Sequence, residues 1–277
     1  MELLECEGLR NRLNIERAPC DFCYSTLLPS HFKKGIPSGC LAAHIGNCLL
    51  ELKSIKISRE IIDRRLIVDA ILLHDIGKLT EAYRQSYTAK RYLHNVYSAL
   101  FIYQLRNLNQ ECRDKLALST FLHHEYYAWK RAYEFKEIDI FKQLPYRQTK
   151  MEKDRVIAFI KCMRSINQQI NENIDNTLNL LEAYANLTLK EPKRKLAAFR
   201  VTNISLIAET LVLTYLLYLI DNRAAILREN RFEWLKNEFM KLEWDPEKLA
   251  KEITEFENRI GARNLFLSLL PDYLKMQ

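Results

Sequence analysis

Leu72-Leu73-His74-Asp75-Ile76-Gly77-Lys78 decides how the rest of this chain is read. An apolar run delivers a histidine and an aspartate side by side, and a lysine follows three residues later. Adjacent His and Asp at the end of a buried helix can both turn toward one ion. An aspartate buried there without a cation or a donor costs several kcal/mol or shifts its pKa. The pair therefore needs a partner. His-Asp neighbours also occur as ordinary hydrogen-bonded groups, so the weight falls on where the other histidines lie.

Working outward, the fold class comes first. The chain has 277 residues with only 6 glycines and 7 prolines, and its apolar residues recur at helical spacing in long segments. That combination predicts an all-α fold rather than a sheet. Ser38 is placed to cap a helix beginning near Gly39, which puts Cys40, His44 and Cys48 along one face. A second helix, from about Ser58, carries Ile61, Ile62, Leu66, Ala70 and Leu73 as its stripe. Gly77 is expected to end it and leave Lys78 free in the turn. Further helices are expected from His94, with Ser98 one turn on, and over 116–124, ending at His123-His124-Glu125. A basic helix follows Pro145, with Arg147, Lys150, Lys153, Arg155, Lys161 and Arg164 read as a solvated face. Polar residues 165–179 are read as its continuation. The most apolar run, 201–220, is long enough to span a membrane, but Asn203, Ser205 and Glu209 interrupt it and Asp221 closes it. A buried core helix is expected there.

The domain reading is an N-terminal extension over 1–39, a helical domain over 40–225 and charged helices over 226–277. Cys20 and Cys23 have zinc-knuckle spacing, and Cys6 and Cys40 would complete a four-thiolate site. Small buried residues in a reduced protein are the plainer meaning, and the one adopted. His31 is placed in a loop with no metal role. Seven cysteines, an odd number, fit a reducing compartment, and three glutamates among the first ten residues are unlike a secretory leader. A cytoplasmic protein without a membrane segment is expected. The net charge of +7 suits a polyanionic partner without demanding one.

Of the 6 histidines, His44, His74, His94, His123 and His124 fall on expected helices or their ends. Asp75 and Asp221 join them. Seven nitrogen and oxygen donors exceed what one ion needs if a position stays open for water. They suit two ions with a shared carboxylate, an arrangement used to hydrolyse phosphodiesters. The imidazole-rich set favours Mn, Ni, Co or Fe, with Mg a poorer fit.

With these residues the chain resembles the HD superfamily of metal-dependent phosphohydrolases over about 40–225. His94 with Ser98 and the His123-His124 doublet are similar to the HD nuclease of type I CRISPR interference, in the form separate from its helicase. The resemblance implies an HD-domain helical bundle in which His44, His74, Asp75 and Asp221 hold one ion. His94, His123 and His124 hold the other, with Asp75 bridging and catalytic. It places Lys78 near the scissile phosphate, as a second catalytic group, and Ser98 behind the ligands. It implies cleavage of single-stranded DNA, or of RNA, alongside a separate helicase and an effector complex. No G-x-x-x-x-G-K-[ST] phosphate loop occurs in the sequence. Tyr83, Arg84, Lys90, Arg91, Trp129, Lys130 and Arg131, in two aromatic and basic stretches, are the candidates for holding a strand. Two rivals stay open, a small-nucleotide phosphodiesterase or nucleotidase and a degenerate docking module. Tyr126-Tyr127-Ala128-Trp129 replaces the D-G-x-G-Y-P stretch of the HD-GYP kind.

Overall fold

The computed structural model describes residues 4–16, 27–33, 36–37, 39–55, 62–85, 94–123, 148–189 and 204–226. These residues are mostly helical, as the scarcity of turn residues predicts. The helices are α1 (Leu4–Leu13), α2 (Leu41–Ser54), α3 (Arg64–Leu73), α4 (Glu81–Gln85), α5 (His94–Gln104) and α6 (Gln110–Leu122). After these come α7 (Lys153–Ile170), α8 (Asp175–Ala183) and α9 (Ile204–Ile226). A 3-10 turn, Ile76–Leu79, links α3 to α4. Two small antiparallel ladders complete the described set, Phe32–Lys33 with Ile36–Pro37 and Thr149–Lys150 with Thr188–Leu189.

The centre of the packing is α9. Leu213, Leu216, Leu217 and Ile220 are fully buried, and residues on its other sides, Leu211, Val212 and Tyr215, are buried too. A helix that is apolar all round belongs in a core, and α9 is flanked by α2, α3 and α6. No helix among the described residues is long and apolar enough to cross a membrane. Caps set several boundaries. Asp63 accepts the Arg65 N–H at 2.9 Å to start α3, and Asn109 accepts the Cys112 N–H at 2.8 Å to start α6. The expected start of α3 near Ser58 gives way to the Asp63 cap. The expected continuation of the basic helix through 179 fails at Asn171, whose φ of 56° ends α7 in the left-handed region that Asn tolerates.

Two expectations are corrected by burial. The described parts of 1–39 pack into the same core as the rest, since Cys6, Leu9 and Leu28 are all buried. Helix α2 begins at Leu41 with Cys40 as its cap residue, which makes no side-chain capping bond, and Ser38 lies outside the described residues. Instead Glu5 of α1 accepts the Cys40 N–H at 2.7 Å and the Ser30 hydroxyl at 2.7 Å. Gly46 permits this docking, because a Cβ there would meet Leu9 Cδ2 at 3.0 Å. The second correction concerns Arg155. Lys153, Lys161 and Arg164 do face solvent, but Arg155 is 4 % exposed. Its guanidinium donates to the carbonyls of Leu27 at 2.8 Å, Lys78 at 2.7 Å and Thr80 at 3.4 Å, and to the Glu152 carboxylate at 2.9 Å. The planar fork thus ties the N-terminal segment to the turn after His74-Asp75.

Removing that fork leaves buried carbonyls without donors. Arg155→Ala is expected to lower unfolding free energy by about 3 kcal/mol, read as a lower urea midpoint, whereas Lys161→Ala leaves the midpoint within error.

Candidate metal centre

Six of the candidate side chains meet where α2, α3, α5, α6 and α9 converge. His44 comes from α2, His74 caps the end of α3, Asp75 opens the 3-10 turn, His94 begins α5, His123 caps α6 and Asp221 lies on α9. All are buried except His94, whose side chain is 12 % exposed. Among the described residues two donor groups form, each with its ligand atoms within 4.8 Å of one another. They are His44, Cys48, His74 and Asp221, and His74, Asp75 and His123.

Asp75 faces both ways. Its Oδ2 lies 3.5 Å from His74 Nε2 and 3.7 Å from His44 Nε2. Its Oδ1 lies 3.2 Å from His94 Nε2 and 4.0 Å from His123 Nε2. Asp221 Oδ1 closes the other side at 2.8 Å from His44 Nε2 and 3.6 Å from His74 Nε2.

Helix ends set the histidine tautomers. The last carbonyls of a helix lack intrahelical partners. At α3 the Ile71 carbonyl takes the His74 Nδ1–H at 2.8 Å, and at α6 the Thr120 carbonyl takes the His123 Nδ1–H. A carbonyl only accepts, so Nδ1 carries the hydrogen and Nε2 of the neutral ring presents its lone pair inward. His74 Nε2 and Asp75 Oδ1 are buried and neither makes a hydrogen bond of good geometry. Buried orphans of this kind call for a missing partner.

The charge balance points the same way. Glu5, Asp75 and Asp221 are buried around His44, and the Lys78 ammonium pairs with Asp75. The nearby Glu51 is already matched by Arg12 at 2.8 Å and Arg223 at 2.7 Å. Burial alone would raise the Asp75 carboxyl, but Lys78, His74 and His94 outweigh it and hold it well below the usual carboxylate range. Burial likewise opposes ionisation of Asp221, and His44 and His74 hold it well below that range. Burial works against a charged His74 ring, yet Asp75 and Asp221 carry its pKa upward. Burial and the Lys78 ammonium push His94 down. Clustered buried carboxylates, inward lone pairs and orphaned atoms together fit a divalent cation.

Lys78 is not free in the turn. The chain continues past Gly77 as a 3-10 turn, and Lys78 is buried with Nζ 2.5 Å from Asp75 Oδ2. Ser98 sits behind the ligands, where its hydroxyl accepts the Gly77 N–H at 2.7 Å. Gly77 lets the turn press onto α5, since a Cβ there would fall 2.2 Å from the His94 carbonyl oxygen.

The strand-holding candidates divide. Tyr83 is 3 % exposed, its hydroxyl donates to the Ser30 carbonyl at 3.0 Å, and its ring lies edge-on to His94 at 6.2 Å. It supports a histidine and offers no face for a base. Arg84 is exposed, with Nε 2.8 Å from Glu152. Lys90, Arg91, Trp129, Lys130, Arg131 and the second histidine of the doublet, His124, lie outside the described residues, as do Cys20, Cys23 and nearly all of 226–277.

Three participants were missed from sequence. Glu5 Oε1 stands 3.6 Å from His44 Nδ1, a contact across separate helices that no local pattern announces. Arg155 fixes the carbonyl of Lys78 from α7. Cys48 Sγ lies 3.8 Å from His44 Nε2, and the spacing of four residues did place it on the face of His44. Burial, then Asp221 and Asp75, push its thiol well up.

Comparison of the chain with protein-family models, curated proteins and solved structures yields no match. Gly77→Ala is expected to cost about 1–3 kcal/mol through the clash with α5. Ser98→Ala, which strips one buried acceptor, should cost about 1 kcal/mol, both read from urea unfolding monitored by circular dichroism.

Proposed function

We propose that this chain is a metal-dependent phosphodiesterase of the HD type, a nuclease cutting single-stranded DNA or RNA. One observation carries the reading: the Asp75 carboxylate lies between two sets of imidazoles, Oδ2 toward His44 and His74 and Oδ1 toward His94 and His123. A carboxylate so placed suits a bridge between two ions. In this reading His44, His74, Asp75 and Asp221 hold one ion, and His94, His123, His124 and Asp75 the other. Divalent transition ions such as Mn, Ni, Co or Fe, with Mg a weaker candidate, would supply Lewis acidity and a water acidic enough to attack a phosphate near neutral pH.

The chain's own groups do the rest. His74 and His123, pinned through Nδ1 to backbone carbonyls, present Nε2 without rearrangement. Asp75 is ionised before any ligand arrives, because Lys78 and the imidazoles keep it so. The Lys78 ammonium sits at the same carboxylate and offsets negative charge on a phosphoryl oxygen brought beside it. The exposed edge of His94 marks the side of the cluster nearest solvent. Work beside a helicase and an effector complex in CRISPR interference, and a cytoplasmic setting, belong to the same proposal and rest on the resemblance of the histidine pattern.

A small-nucleotide phosphodiesterase is the second reading, favoured by how deeply His74, Asp75 and His123 are enclosed. One assay separates the two. The protein loaded with Mn, Co or Ni is incubated with circular single-stranded DNA, RNA, duplex DNA and cyclic dinucleotides. Nicking of the circle is expected, with loss of at least about a hundredfold in His74→Ala and Asp75→Ala and on treatment with a chelator. Intact nucleic acid beside a hydrolysed dinucleotide would sink the nuclease. No cleavage and no retained metal would leave a docking module.

A further inference from the structure

The first donor group named above contains a residue that the HD pattern does not supply. Cys48 follows His44 by four residues on α2, so both project from one face into the space closed by His74 and Asp221. Its Sγ is 3.8 Å from His44 Nε2, and the ligand atoms of all four residues lie within 4.8 Å of one another. For sulfur at about 2.3 Å and nitrogen or oxygen at about 2.0–2.2 Å from one ion, tetrahedral edges run to about 3.4–3.6 Å. The Cys48–His44 edge and the 3.6 Å edge from His74 Nε2 to Asp221 Oδ1 are close to that. The 2.8 Å edge from His44 to Asp221 is the short one, drawn in by a hydrogen bond.

Other cysteines give the contrast. Cys6, Cys40 and Cys162 are as buried as Cys48, yet among the described residues none belongs to a donor group. For them a small, buried apolar role is the plainer account. Cys48 alone of the described cysteines has two imidazoles and a carboxylate at ligand spacing. Asp75, meanwhile, groups with His74 and His123.

We infer that Cys48 is a thiolate ligand at the position formed by His44, His74 and Asp221, making that position selective for zinc, cobalt or iron over magnesium and manganese. Binding there releases the thiol proton to solvent, leaving the sulfur lone pair for the ion. A soft donor discriminates in just this direction, since thiolates favour borderline ions and carboxylate or water sites favour hard ones. The two positions of the centre would then differ in kind, one with sulfur and one with nitrogen and oxygen only. The inference rests on the reading of the cluster as a metal centre.

The test uses the full chain carrying Cys20→Ser and Cys23→Ser, so that the knuckle-spaced pair contributes no sulfur. Loaded with cobalt(II), this host is expected to show a near-ultraviolet sulfur-to-cobalt charge-transfer band. The band should vanish in Cys48→Ser and Cys48→Ala and persist in Cys162→Ser. Zinc affinity should fall at least about tenfold without Cys48, a scale that even outer partners of a metal reach, with manganese affinity changing less. Cobalt retained without the band, or a band that survives loss of Cys48, overturns the inference and leaves the metal centre standing. No cobalt or zinc retained by the host overturns both. If neither Cys48 variant folds, the cadmium-113 resonance of the host decides. A shift toward sulfur coordination supports the assignment, and one confined to nitrogen and oxygen coordination refutes it.

Discussion

Everything around the centre depends on how two buried carboxylates, Asp75 and Asp221, are kept ionised. Neither could be held there alone, because a lone buried carboxylate takes a proton instead. Lys78 supplies opposing charge and the imidazoles polar partners, and they come from four different helices and one tight turn. The packing has to bring those elements together before the charges are compensated. Core and site are therefore one problem: the apolar α9 that anchors the fold is the helix that carries Asp221.

Backbone polar groups do a large share of the positioning. The unpartnered carbonyls at the ends of α3 and α6 orient His74 and His123. The carbonyls of the 3-10 turn are held by Arg155 from one side, and the Gly77 N–H by Ser98 from the other. Glu5 bonds the N-terminus of α2, docks α1 against it and approaches the far nitrogen of His44. A segment that composition marks as an appendage thus reaches the centre.

What could be read from the chain follows the range of the interaction. Helical class, the core role of the run ending at Asp221, and the candidate donors came from residue type, period and position along the chain. His44, His74, Asp75, His94, His123 and Asp221 lie within reach of one another, although the contact of His44 with Asp221 spans 177 residues. Local patterns misjudged residues whose partners lie far off. Ser38 looked like the cap because nothing nearby announced Glu5. Tyr83 looked like a stacking platform among basic neighbours, yet Ser30 and His94 claim it. Arg155 repeats the basic character of Lys153 and Lys161, but it lies on the opposite face of α7. A helical wheel reveals that face; it does not reveal the three carbonyls waiting there.

The 177-residue separation of His44 from Asp221 has a consequence in time. At roughly 5–20 residues per second of synthesis, α9 follows α2 out of the ribosome by roughly 9–35 s. Throughout that interval the imidazoles of α2 and α3 exist without the carboxylate that closes their side of the cluster. The donor set of His44, His74 and Asp221 cannot be complete before α9 emerges, and the arrival of that helix closes it.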